Sequence, residues 1–82
     1  MDYRFTRHAK DRMKERSISE GLIGDALENP TKVSYDSRGR LLLRKLYEKN
    51  GRKRLLLIVV ELAMGQLKIV TVIDTSKVEK YL

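Results

Sequence analysis

The spacing of apolar residues changes from helical to alternating at Asn29-Pro30, and this change most limits what the chain can fold into. Before this point, apolar residues recur three or four positions apart, as on one face of a helix. After it, apolar positions follow the period of two that is typical of strands. The 82 residues have room for one small domain, residues 1–82, built from helices first and a sheet afterwards.

The segment before Pro30 predicts two short helices. Arg7–Arg16 contains no Gly, Pro or β-branched residue and follows Thr6, a residue type that caps helices well. Ser19 is expected to cap a second helix, which runs from about Glu20 to Glu28 and carries an apolar stripe. Pro30 ends this helix because the residue before a proline disfavours the α conformation.

The segment after Pro30 predicts four strands, at residues 32–35, 40–48, 54–62 and 66–73. Asn50-Gly51 between two apolar runs is a strong hairpin signal, because both central positions of a type I′ turn need a positive φ. Ser76 is expected to cap a final helical turn. The sequence therefore predicts an α+β fold in the order ααββββα, with two N-terminal helices packed on a curved four-stranded antiparallel sheet.

The third and fourth predicted strands are apolar on both faces. In the third strand, Leu57 and Val59 point to one face, while Ile58 and Val60 point to the other. Two short helices can cover one face of such a sheet but hardly both. Two explanations stay open: a strongly curved sheet that wraps its own core, or an apolar groove that another chain covers.

The chain is strongly basic, since 18 Lys and Arg against 11 Asp and Glu give a net charge of +7. This surplus suits a polyanionic partner, nucleic acid first and an acidic protein second. The absence of cysteine excludes disulfides and thiol nucleophiles. The longest apolar run, residues 55–60, is too short to cross a membrane, and the first residues lack a secretory signal, so a cytoplasmic location is expected.

His8, Arg12 and Arg16 follow one another at intervals of four on one side of the first helix. A histidine can move a proton near neutral pH, and a guanidinium can hold a phosphate with two hydrogen bonds. Together they form a minimal set for phosphodiester chemistry. The alternative is that the two arginines are solvated or pair with acidic neighbours such as Glu15.

Two strand residues are further catalytic candidates. Arg44 points to the apolar side of its strand, an unusual place for a charge unless an anion meets it. Thr71 interrupts the apolar side of the fourth strand and is able to donate to a phosphate, although threonine is also an ordinary strand residue. The basic residues expected to contact RNA beyond these candidates are Arg7, Lys10, Arg40, Lys45, Lys53, Arg54 and Lys68.

Common catalytic and nucleotide-binding motifs are missing from the sequence. It has no phosphate-binding glycine loop, no nucleophile elbow and no pair of carboxylates flanking a histidine at metal-ligand spacing. No cofactor and no metal site is therefore predicted. The chemistry that remains is metal-independent cleavage of RNA, whose own 2′-hydroxyl is the nucleophile.

The segment from Phe5 to Ile18, FTRHAKDRMKERSI, resembles the opening motif H-A-x-x-R-M-x-x-R-x-I of the family called domain of unknown function 4258. Residues 68–73, KIVTVI, are similar to the V-x-T-V-type strand that closes the family's pattern. This family is grouped with the RelE/ParE-like toxins and, more broadly, with small ribonucleases of the barnase and colicin type. The resemblance implies a helical layer on a curved antiparallel sheet, with an RNA groove on the concave side.

The resemblance also implies a toxin that an antitoxin protein neutralises by covering this groove. His8, Arg12, Arg16 and Thr71 match the family's motifs, whereas Arg44 matches none. The expected function is a toxin that acts as a metal-independent ribonuclease on RNA, free or ribosome-bound. The alternative is a non-catalytic module that binds nucleic acid or protein, including a ParE-like enzyme inhibitor. No membrane partner is expected, and whether the chain forms a homodimer stays open.

Overall fold

Five strands and three helices make up residues 3–82, the part of the chain that the computed structural model describes. In chain order they are β1 (Tyr3–Phe5), α1 (Arg7–Arg16), α2 (Glu20–Glu28), β2 (Lys32–Tyr35), β3 (Leu41–Lys49), β4 (Arg52–Ala63), β5 (Gln66–Thr75) and α3 (Val78–Tyr81). The strands form one mixed sheet in the order β1-β5-β4-β3-β2. The predicted α+β class is confirmed.

The predicted order ααββββα and the purely antiparallel sheet were wrong, because β1 adds a fifth strand that runs parallel to β5. β1 is three residues long, so it shows no alternation from which a strand is recognised. Its partner in the sheet lies near the other end of the chain. Ser76 does not cap the last helix, since the N-cap position of α3 is Lys77 and makes no side-chain cap bond.

Each of the first two helices begins where the predicted hydroxyl cap stands. The Thr6 Oγ1 accepts a hydrogen bond from the Ala9 N–H at 3.0 Å, and the same hydroxyl donates to the Val70 carbonyl of β5 at 2.8 Å. Ser19 Oγ accepts from the Leu22 N–H at 3.1 Å. Thr6 therefore fixes α1 beside β5 as well as starting it. Within residues 3–82, no helix is both long enough and apolar enough to span a membrane.

One face of the sheet, which we call the helical face, packs against α1 and α2 and contains the main core. The helices contribute Ala9, Met13, Ile23 and Ala26, and the strands contribute Leu43, Leu56, Ile58, Val60, Ile69 and Val72. The antiparallel register places residues 43, 58 and 72 side by side across three strands. This shared face explains why α1 lies directly over β5.

The opposite face is covered only in part. α3 contacts β4, and Leu55 on this face is fully buried. Leu57 is half-buried, and Ile73 beside it is 48% exposed. The chain's own last helix thus covers some of the apolar surplus that the sequence contains. Cover of the remainder by another chain stays a prediction.

Candidate functional site

A groove of about 220 Å³ lies between α1 and β5, and we call it the arginine groove. Its lining residues are Arg12 and Arg16 from α1 and Thr71, Val72, Ile73 and Asp74 from β5. Consecutive strand residues point to alternate faces, so four consecutive lining residues indicate that the groove follows the edge of the strand. Three of the predicted catalytic residues, Arg12, Arg16 and Thr71, are therefore brought together.

The edge of β5 is free at this groove because β1 is short. β1 pairs with β5 only from Leu67 to Ile69, and the chain then turns at Thr6 into α1. Within residues 3–82, no strand pairs with residues 71–74 on this side.

The two arginines of the groove carry charge that their neighbours hardly neutralise. Arg12 Nη1 lies 3.6 Å from Glu15 Oε2, and both side chains are largely exposed to water. Such an exposed pair contributes little to stability and leaves the guanidinium able to take another partner. Arg16 has no carboxylate within 4 Å in the described part of the chain. Of the two arginines, only Arg12 therefore pairs with an acidic neighbour among the described residues, and this exposed ion pair is weak.

His8 is exposed and does not line the arginine groove. It lies one helical turn before Arg12 on the same side of α1. Among residues 3–82, the His8 ring makes no hydrogen bond or ion pair. Its role as a proton-transfer group stays a prediction.

A second groove, of about 360 Å³, adjoins the first, and we call it the hairpin groove. Its lining residues are Arg16, Lys49, Asn50, Arg52, Arg54 and Asp74. Arg16 and Asp74 line both grooves, so the two grooves lie side by side at the C-terminal end of α1. Lys49 Nζ donates to the Arg16 carbonyl at 3.2 Å and ties the β3–β4 hairpin to the end of this helix.

Among residues 3–82, Asp74 is the one carboxylate that lines the two grooves, and its side chain is nearly buried, at 5% exposed. Arg54 Nη2 lies 2.9 Å from Asp74 Oδ2, and Arg54 Nε donates to Oδ1 at 2.9 Å. The Tyr47 hydroxyl donates to Oδ1 at 2.5 Å. Arg54 therefore neutralises Asp74, and within residues 3–82 the other cations of the hairpin groove, Arg16, Lys49 and Arg52, have no carboxylate within 4 Å.

These contacts decide the protonation states of the network. Burial alone raises the pKa of Asp74, but hydrogen bonds from Arg54 and Tyr47 outweigh it, so the pKa is lowered. The positive charge of Lys49 acts in the same direction. Burial and the bond to Asp74 raise the pKa of Tyr47 to about 12. At neutral pH, Asp74 is ionised and Tyr47 is a neutral donor.

Sequence reasoning missed the roles of Tyr47, Asp74, Lys49 and Arg52. A signal existed for part of the network, because the two-residue turn at Asn50-Gly51 sets a register in which Tyr47 lies opposite Arg54. The position of Asp74 depends on the β4–β5 register, which shifts between Val59 and Val60. No local pattern predicts that shift.

Arg44 is not brought together with the residues of α1. It lies opposite Leu57, on the face of the sheet that α1 does not contact. Its Nε donates to the Tyr81 carbonyl and its Nη1 to the Ser34 hydroxyl, both at 2.8 Å. The charge in an apolar strand is met by neutral oxygens, so its position does not require a phosphate.

The other predicted RNA contacts lie apart from the two grooves, except Arg54. Three of them form ion pairs: Arg40 with Asp36 at 2.9 Å, Lys45 with Asp25 at 3.3 Å and Lys68 with Glu61 at 4.0 Å. Arg7, Lys10 and Lys53 are exposed. Within residues 3–82, no three His, Asp or Glu side chains are grouped so as to hold a metal ion.

Comparison with known proteins gives one match. A family model matches residues 5–78, and searches of curated proteins and of solved structures returned no match. The matched region contains α1, the whole of β5 and every residue that lines the two grooves. The chain therefore belongs to the family described as Domain of unknown function (DUF4258).

Proposed function

We propose that this protein is an RNA-binding toxin of the RelE/ParE-like group that cleaves RNA without a metal ion. The observation that carries the proposal is the arginine groove, which brings Arg12 and Arg16 of α1 beside the segment of β5 that contains Thr71. All three match the family motifs noted in the sequence. The net charge of +7 and the unmatched cations of the adjoining hairpin groove support a polyanionic ligand.

The reaction that these residues fit is transfer of a phosphodiester within RNA. The 2′-hydroxyl loses its proton and attacks the neighbouring phosphorus, and the bond to the 5′-oxygen breaks as that oxygen gains a proton. The products are a 2′,3′-cyclic phosphate and a free 5′-hydroxyl. Arg12 and Arg16 hold the phosphate and stabilise its added negative charge. His8, which lies one turn before Arg12 on α1, transfers a proton.

An antitoxin is part of this proposal. The half-exposed apolar side chains on the sheet face opposite α1, Leu57 and Ile73 among them, are a surface for it to cover. Such cover would bury apolar area that α3 leaves in contact with water.

The test is incubation of the purified protein with labelled RNA in the presence of EDTA. The wild-type protein is expected to leave 2′,3′-cyclic phosphate ends, and His8→Ala is expected to slow cleavage by about a hundredfold or more. Arg16→Gln should weaken RNA binding, whereas Arg38→Gln, an exposed charge in the β2–β3 turn, should not. Undiminished cleavage by His8→Ala would remove His8 from the reaction.

A second candidate function is RNA binding without cleavage. It is favoured by the position of His8 outside the groove, with no partner among the described residues to orient its ring. This candidate predicts binding that weakens steeply with salt and no product at any time. A ParE-like inhibitor of an enzyme would instead bind no RNA.

A further inference from the structure

The β3–β4 hairpin holds two like charges directly opposite each other. Lys49 and Arg52 are the pair that closes the two-residue turn at Asn50-Gly51. Lys49 lies two residues from Tyr47, and Arg52 lies two residues from Arg54, so all four side chains point to the helical face. Like charges opposite each other in a ladder are destabilising unless an anion lies between them.

Among residues 3–82, Asp74 is the one carboxylate that lines the hairpin groove near these charges, and Arg54 and Tyr47 already bind it. Glu48 alternates to the other face, where Lys53 is opposite to it. Among residues 3–82, Arg16, Lys49 and Arg52 therefore form a cluster of three cations without a carboxylate within 4 Å.

We propose that the hairpin groove is a second phosphate subsite, which holds the RNA phosphate next to the one in the arginine groove. Arg16 lines both grooves, so one strand can pass from the first to the second without leaving the protein. A contact to the phosphate backbone carries no sequence information, so this subsite adds affinity without adding sequence preference. The inference rests on the proposed RNA binding but does not require cleavage.

The test measures equilibrium binding of a 2′-O-methyl RNA oligonucleotide, which lacks the nucleophilic hydroxyl and stays intact. Fluorescence anisotropy is recorded over a range of salt concentrations for the wild type and for Arg52→Gln. Loss of one phosphate contact should reduce the slope of log affinity against log salt by about 0.7, which is about a fivefold loss of affinity at 0.1 M salt. Lys49→Gln should show a similar loss.

The matched control is Arg38→Gln, which removes one exposed positive charge at a turn outside both grooves. The subsite is wrong if Arg52→Gln and Arg38→Gln bind alike while the wild type binds RNA, and the proposed function then stands. Failure of the wild type to bind would overturn both proposals. The expected loss of binding in Arg52→Gln, together with no cleavage of unmodified RNA by the wild type, would support the subsite and count against catalysis.

Discussion

Asp74 shows how one residue organises the surface around it. Its carboxylate binds both Arg54 and Tyr47, and in doing so it removes Arg54 from the cations that are free to meet a ligand. Arg54 was among the residues predicted to contact RNA. Its position in the structure makes it a support for the groove, while Arg16 and Arg52 keep the unmatched charge.

We predict that Asp74→Asn lowers the free energy of unfolding by about 2 kcal/mol at neutral pH, since a nearly buried charge-assisted network loses its anion. The pKa of Asp74 is lowered in the folded state, so its stabilising effect is present above its ordinary pKa of 3.8 and disappears as pH falls through the folded value. Urea unfolding at a series of pH values measures the difference in free energy of unfolding between the wild type and Asp74→Asn.

The control is Asp11→Asn, which removes an exposed carboxylate of α1 and should change stability little. The difference between the wild type and Asp74→Asn should shrink in acid. A difference that stays constant below pH 3.8 would show that the charge of Asp74 is not its cause.

Tyr47→Phe is predicted to lower the free energy of unfolding by about 1 kcal/mol, because it removes one hydrogen bond to Asp74 and leaves the ring in place. Tyr47 should also ionise only near pH 12, since its pKa is raised to about 12. Absorbance titration of tyrosinate, compared between the wild type and Tyr47→Phe, measures the pKa of Tyr47. A titration curve that keeps its late step in Tyr47→Phe would contradict the assignment.

At the scale of elements, Thr6 joins two parts of the fold with one hydroxyl. We predict that Thr6→Val lowers the free energy of unfolding by about 2 kcal/mol, since both the cap of α1 and the bond to Val70 are lost. Thr6→Ser keeps the hydroxyl and should retain most of this stability. Urea midpoints of the two variants give the comparison. A loss in Thr6→Ser as large as that in Thr6→Val would mean that the methyl group contributes as much as the hydroxyl, and no loss in Thr6→Val would contradict the role of the hydroxyl.

The β4–β5 turn places a methionine where asparagine is favoured. Met64-Gly65 has φ values of 55° and 73°, close to the 53° and 77° of Asn50-Gly51 in the other two-residue hairpin. Met64 is fully exposed, so its side chain makes no packing contacts that offset the energetic cost of its left-handed backbone conformation. We predict that Met64→Asn raises the free energy of unfolding by about 0.5–1 kcal/mol and that Met64→Leu does not. Thermal unfolding of Met64→Asn and Met64→Leu, compared with the wild type, measures the two effects.

The elements that were predicted from the sequence are those with local signals. Both N-terminal helices match their predicted bounds, because Thr6, Ser19 and Pro30 act on residues next to them. β1 was missed because its existence depends on pairing with β5 far along the chain. The same division holds for the site: the spacing of Arg12 and Arg16 is local, whereas the contact of Tyr47 with Asp74 depends on tertiary register.

At the scale of the whole molecule, the net charge of +7 is unevenly placed. Arg40 at the β2–β3 turn and Lys68 in β5 have acidic partners, Asp36 and Glu61, whereas the end near Asn50-Gly51 carries a surplus. A field concentrated at one end draws a polyanion toward the grooves before any contact forms.

We predict that phosphate raises the melting temperature of the wild type above that in chloride at equal ionic strength. An anion that binds only the folded state stabilises it, by about 1.4 kcal/mol at ten times its dissociation constant. The rise should be smaller in Arg52→Gln than in Arg38→Gln. Equal rises in melting temperature in the two variants would mean that phosphate acts as a general salt and not by binding in the hairpin groove.

The two walls of the arginine groove come from opposite ends of the chain, α1 near the start and β5 near residue 70. Protein synthesis proceeds from the amino terminus, so a nascent chain has the arginines long before it has the strand that completes their groove. Whatever ligand the groove takes, the unfinished polypeptide lacks the surface to bind it. Binding of that ligand therefore requires that translation has passed β5.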